Sequence, residues 1–355
     1  MARTVKHLSL HRIDGTELQL ISDVENGVLQ VAEVEEAVIR DYSRRVDWPH
    51  ECVMLFILQD MAPLTRQLQA VHDLPPGGME ALDQRPVVNV YDAGNLHRCQ
   101  IFVNRQSMVK EDYWEDPLIL RALLAHEHAH PLVEGPTVRE SRMLRSEVSM
   151  KCAPDAARRR TASQEQEALR QWTGNRQDEI RALLNVMAYR LCLNAPREVL
   201  ANELTIRSDF GDALLHLDRR NVANARRSLA GRDVLRKQLD SRVTQGDLSS
   251  SSADLLLLIG DMQGFLDLAI ETAPFCRAGR ESDGRELESV LEKDVFPLLD
   301  PEIGAAYSGL RERYLALKPD FTRQKLIAWG EGVLGILSEA LLSKGLIAEF
   351  RLQPT

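Results

Sequence analysis

Residues 121–135, RALLAHEHAHPLVEG, restrict the local structure more tightly than any other stretch of the chain. His126, His128 and His130 stand at every second position, with Glu127 between the first two. In a strand, successive side chains point to opposite faces, so all three imidazoles would share one face. In a helix, His126 and His130 would lie one turn apart on a common face, and His128 would point elsewhere. The preceding residues decide between the two. Asp116 is suited to cap a helix that has Pro117 at its first position. Leu118, Ile119, Ala122, Leu123 and Ala125 then carry helix-forming sequence directly into the histidines, and a strand here would lack β-branched residues. A helix is therefore expected. Because a residue before proline is driven away from helical geometry, Pro131 predicts that this helix ends or kinks at His130.

On a helix the segment is H-E-x-x-H, in which two neutral imidazoles can hold Zn²⁺ and the adjacent carboxylate can accept a proton from water polarised by the ion. His126 and His130 are the candidate metal ligands and Glu127 the candidate general base. His128 falls about 200° round the helix from His126, which makes it a solvent-facing or hydrogen-bonded residue. Zinc hydrolases use three protein ligands and leave a position open, so a carboxylate is needed. Glu134 lies one turn beyond His130 but is isolated by Pro131 and Gly135. Glu198 and Glu203 lie in NAPREVLANELTI (194–206), which begins like a helix, with Asn194 near Pro196 and an apolar stripe at Val199, Leu200 and Leu204. Glu198 and Asn202 are four apart and share a face, while Glu203 points about 140° away from Glu198. An amide one turn from a ligand carboxylate can hydrogen-bond a neighbouring ligand and fix its orientation.

HEHAH (126–130), followed on a later helix by EVLAN (198–202), resembles the two motifs of the gluzincin metallopeptidases, most of all the minimal ones of the ImmA/IrrE type. The resemblance covers about ten residues. It implies His126, His130 and Glu198 as zinc ligands, Glu127 as general base and Asn202 as a supporting residue, with Glu203 the alternative ligand. It also implies a zincin-like N-terminal region, in which a small mixed sheet accompanies the active-site helix. Two features depart from the family pattern: Pro131, and a long charged insert between His130 and Glu198. The reaction implied is peptide-bond hydrolysis, with Tyr189 and His216 as possible oxyanion donors.

The remaining sequence places these motifs in an α+β chain. VKHLSLHRIDGTELQLIS (5–22) alternates about Asp14-Gly15 and predicts a β-hairpin. Val28, Val31, Val34, Val38 and Ile39 predict a helix from Gly27 to about Arg44. CVMLFIL (52–58), PVVNVYD and CQIFVNR predict strands, and PPGG (75–78) predicts a break. Beyond residue 140 the composition predicts helices almost throughout, with a loop at CAPDAARRRTASQ (152–164) and a linker at 244–252. The expected regions are 1–135, carrying the HExxH helix; 136–248, helical and carrying the third ligand; and 253–355, a C-terminal helical region.

Composition narrows the function classes. A formal net charge of −9 argues against general nucleic-acid binding, and the basic run at 219–242 reads as the solvated face of a helix. Five scattered cysteines form no CxxC pair, so their spacing indicates neither a disulfide framework nor a thiolate zinc site. The first residues have no signal-peptide core, and apolar runs such as ADLLLLIG (253–260) fall short of a membrane span. The expectation is a cytoplasmic zinc metallopeptidase acting on a peptide or protein. The alternatives are a non-hydrolytic metal-binding protein that uses all three histidines, or a helical regulatory protein without a working metal site.

Overall fold

The sheet is built by the residues whose alternation the sequence displays. The computed structural model describes residues 5–65, 84–152 and 160–355. The PPGG stretch and residues 153–159 of the expected loop lie outside the described residues; from Arg160 to Asn175 the chain is helical. The described chain is mixed α+β, and it divides into one compact unit of residues 1–134 with 201–217 and another of 135–200 with 218–355.

In the first unit, strands β1 (His7–Ile13) and β2 (Thr16–Ser22) form the expected hairpin. Asp14 and Gly15 both take positive φ, at 46° and 93°, as a tight two-residue hairpin turn requires. Helix α1 (Val28–Ser43) follows Gly27, whose φ is 84°; a Cβ there would come within 2.7 Å of the Trp114 ring. Strand β3 (Cys52–Leu58) lies between β2 and β5 (Asn95–Asn104) and is parallel to both, while β4 (Val87–Asp92) pairs antiparallel with β5 at the sheet's edge. The order is β1-β2-β3-β5-β4, a mixed sheet.

One sheet face is made by every second residue: Leu18 and Leu20, Val53, Leu55 and Ile57, Cys99, Ile101 and Val103, and Val87 and Asn89, all buried. On the other face, Met61, Val88 and Phe102 form a second apolar cluster with Phe56 stacked on Phe102. Each fully buried aliphatic side chain contributes on the order of 2 kcal/mol. After the short α2 (Arg105–Lys110) comes α3 (Pro117–Leu132), which packs against α1 and β4. Arg121 pairs with Asp41 at 2.7 Å, and the Tyr42 hydroxyl donates to Ala125 O at 2.9 Å, so both contacts hold α3 to α1.

Asp116 caps α3 by accepting from the amides of Leu118 and Ile119 at 3.0 and 3.2 Å. His216 Nε2 lies 2.8 Å from its second oxygen. Partial burial alone would raise the Asp116 pKa; the contact with His216 and the two amides outweigh it and hold the carboxyl below its ordinary range.

The second unit departs from the expectation of helices from 140 to 348. Strands β6 (Leu144–Cys152) and β7 (Leu346–Pro354) pair antiparallel along their full length. Gly345, at φ 82°, stops the preceding helix and lets the chain turn into β7. That helix, Arg323–Ser343, is long and apolar enough by length and composition to cross a membrane, a property that the length of uninterrupted apolar runs does not reveal. Its Leu326, Trp329, Val333, Leu337 and Leu341 are buried inside the unit. Of the expected linker at 244–252, residues 245–248 turn the chain between two helices and Ser249 caps the second, which begins at Ser250. Arginines of the basic run pair with acids on neighbouring helices, Arg219 with Glu286 and Arg232 with Asp261.

This unit also holds two acids close together. Asn221 Nδ2 bridges Asp218 at 3.2 Å and Glu271 at 3.3 Å. Burial and the neighbouring Glu271 charge raise the Asp218 pKa well above the carboxylate range, and burial raises that of Glu271 to about 7 despite Arg190. An acid with a raised folded-state pKa keeps its proton in the fold after the unfolded chain has lost its own. Stability therefore falls as pH rises from the ordinary carboxylate range through about 7. Thermal melts at pH 5 and pH 8 are expected to show a lower Tm at the higher pH, and Glu271→Gln is expected to shrink that difference. Separately, Asp116→Ala is expected to cost about 1 kcal/mol and lower Tm by a few degrees.

Candidate functional site

All three histidines lie on one continuous helix. Pro131 does not end α3 at His130: the helix runs on to Leu132, and the Val133 amide closes it on Ala129 O. The reason lies on the edge strand. A residue at 131 would ordinarily donate its N–H to the carbonyl of Glu127, and proline has none. Asn89 of β4 supplies the missing donor, its Nδ2 reaching Glu127 O at 2.9 Å. The expectation of a break at His130 considered the proline alone and had no view of a partner from β4.

The same asparagine engages the side chain of Glu127. Its backbone N–H donates to Glu127 Oε2 at 3.0 Å, and that oxygen lies 3.9 Å from His130 Nε2. His126 and His130 stand with ring centroids 4.5 Å apart, nearly perpendicular. A donor atom of each, together with a Glu127 oxygen, falls within a sphere of mutual 4.8 Å distances. His130 and Glu127 are buried and His126 is partly exposed, so the cluster reaches solvent on the His126 side.

His126 Nδ1 lies 2.6 Å from Asn202 Oδ1. An amide oxygen only accepts, so Nδ1 carries the proton and Nε2 carries the ring's lone pair. Asn202 belongs to the helix Ala195–Thr205, which follows a wide helical turn at Tyr189–Asn194 and leads into a kink at Ser208 and Asp209, the latter at φ 73°. Glu198 stands one turn before it on that helix and accepts from Asn194 Nδ2 at 3.1 Å. Glu203 is turned towards Arg207, which reaches its Oε1 at 2.9 and 3.0 Å. Glu134 accepts from the Tyr91 hydroxyl of β4.

The helix sends His128 to the opposite side from this cluster, so the three imidazoles share no face. His128 is fully buried, not solvent-facing, with Nε2 2.7 Å from Glu35 Oε1 of α1. Trp48 and His50 lie against it, at ring-centroid distances of 5.2 and 6.1 Å. Burial, reinforced by the nearby His128, pulls the pKa of His50 down to about 4, so it is neutral at physiological pH. His216 is engaged with Asp116 at the capped end of α3, about 15 Å along the axis from His126 by helical rise. Tyr189 is more than half exposed.

Sequence reasoning missed Asn89, Glu35 and the His128 surroundings. A signal existed for two of them: Asn89 interrupts the apolar VVNVY, and Glu35 occupies a position on the buried stripe of α1 between Val31 and Val38.

Comparison with protein-family models, with curated proteins and with solved structures finds no match.

The side-chain role of Asn89 can be measured. Asn89→Ala is expected to lower stability by about 1–2 kcal/mol in urea denaturation. In a Pro131→Ala background, where residue 131 regains its N–H, the loss is expected to shrink by at least half. An undiminished loss would separate Asn89 from the proline.

Proposed function

We propose that the chain is a zinc-dependent metallopeptidase whose metal is held by His126, His130 and Glu198. The observation that carries this reading is the clustering of His126, His130 and the Glu127 carboxylate on one face of α3, with Asn202 fixing the tautomer of His126. The donor set fits the ion: two imidazoles one turn apart, one of them oriented by an amide oxygen. Glu198 is preferred to Glu203 because it shares the helix face of Asn202, whereas Glu203 is occupied by Arg207. The five-stranded mixed sheet beside an HExxH-bearing helix supports a zincin-like reading of residues 1–135.

A bound zinc ion would supply Lewis acidity, lowering the pKa of water and polarising a peptide carbonyl. The chain's own part is positioning and proton transfer. Glu127 takes the proton from the attacking water and returns it to the departing amine, and the Asn89 amide holds its carboxylate in place. Asn202 keeps the His126 lone pair directed at the ion. The proposed setting is cytoplasmic and the proposed substrate a peptide or an unfolded protein segment.

Hydrolysis of a mixture of denatured proteins, followed by mass spectrometry of the fragments, tests the assignment. Glu127→Gln is expected to retain zinc and lose cleavage by at least a thousandfold, and wild-type cleavage by that variant would overturn it. Asn202→Ala is expected to weaken zinc binding 10- to 100-fold. Glu198→Ala is expected to lose the ion and Glu203→Ala to keep it.

A further inference from the structure

A second cluster of donors lies on the other side of α3. His50, from the loop before β3, Cys99 of β5 and His128 of α3 each offer one donor atom, and the three atoms lie within 4.8 Å of one another. The side chains are buried, with relative exposures of 2%, 1% and 0%.

Hydrogen bonding fixes what each imidazole presents. His50 Nδ1 faces the carbonyl of Leu96, which only accepts, so that nitrogen carries the proton and Nε2 keeps a lone pair. His128 Nε2 faces Glu35 Oε1, so Nε2 carries the proton and Nδ1 keeps a lone pair. Among the described residues, neither His50 Nε2 nor His128 Nδ1 has a hydrogen-bond partner. As placed, two buried ring nitrogens that face a common space are left unsatisfied, an arrangement that is unfavourable unless a further group fills it.

A cation removes the difficulty. Two imidazole lone pairs and a thiolate form a mixed nitrogen–sulfur donor set suited to zinc-class ions. The remaining ring nitrogens are held by a backbone carbonyl and a carboxylate, the outer partners that orient metal-bound histidines. Charge also balances: Glu35 is fully buried, with its Oε2 unpartnered among the described residues, and a divalent ion offsets this carboxylate together with the Cys99 thiolate.

We propose that His50, Cys99 and His128 bind a zinc-class divalent ion as a structural site that ties α3 to the sheet. The site is independent of the hydrolase reading, since it shares no ligand with the His126–His130 cluster. It joins three separate elements, and His128 and His130 are only two residues apart on α3. An ion here would fix the rotation of α3 and with it the direction of the opposite face.

The test uses the full-length, untagged chain, expressed with cobalt in place of zinc so that no stripping step is needed. Sulfur is the reporter, because the HExxH cluster contains none. Wild-type protein is expected to show a near-ultraviolet thiolate-to-cobalt charge-transfer band. The band is expected to disappear in Cys99→Ser and to survive in Cys52→Ser and His126→Ala. Its absence from folded wild-type protein would overturn the proposal, as would its persistence in Cys99→Ser. If Cys99→Ser fails to fold, the wild-type spectrum decides by itself, together with His50→Ala, which is expected to weaken cobalt binding at least tenfold. Loss of the hydrolase reading would appear differently: the sulfur band would remain while cobalt bound through His126 was missing.

Discussion

A buried helix that carries three histidines and a glutamate must satisfy their polar atoms with little help from water, and this requirement organises the first unit. The C-terminal end of α3 is completed by Asn89, whose amide group replaces the donor that Pro131 lacks and whose backbone N–H holds the Glu127 carboxylate. The N-terminal end is closed by Asp116, with His216 behind it. Between these ends, Glu35 takes up one side of His128 and Asn202 one side of His126. Each partner comes from a different element: edge strand, capping loop, α1 and the helix at 195–205. The sheet and α1 are thus the frame that gives a polar helix its bonding partners as well as its apolar contacts.

Because the histidines alternate along a helix, the frame produces two chemically different sides. His126 and His130 lie with Glu127 on a side that reaches solvent at His126. His128 lies on a dry side with His50 and Cys99. The first suits chemistry on a substrate, where an accessible cation and a positioned base are needed. The second suits a permanent fastening, since its donors are enclosed and its charges can be neutralised only from within. Rotation of α3 about its axis would disturb both sides together.

Much of this was legible in local sequence. The hairpin at Asp14-Gly15, the apolar strands and the Asp116-capped helix each follow from chemistry within a few residues. So does the separation of His128 from its two neighbours once the segment is read as a helix. What escaped depends on partners distant in the chain. Pro131 alone argues for a break, and only Asn89, on a strand more than thirty residues earlier, shows why none occurs. The β6–β7 pair joins Leu144 to Pro354 across the whole second unit, and β6 has little alternation to announce it. Cys99 reads as an isolated cysteine because its prospective co-ligands are histidines from two other elements, a combination that no cysteine spacing can reveal.

The claim on which the functional reading rests is that α3 holds an ion through His126 and His130. Zinc K-edge X-ray absorption on the untagged protein as isolated tests it most directly, compared with the His126→Ala/His130→Ala double variant. The expected result is a wild-type spectrum with outer-shell scattering from imidazole rings and light-atom ligands beside the sulfur of the Cys99 site, and a double variant that has lost one zinc per chain and in which the sulfur share has risen. Equal zinc content and identical spectra in the two proteins would contradict it, as would wild-type protein that carries no zinc.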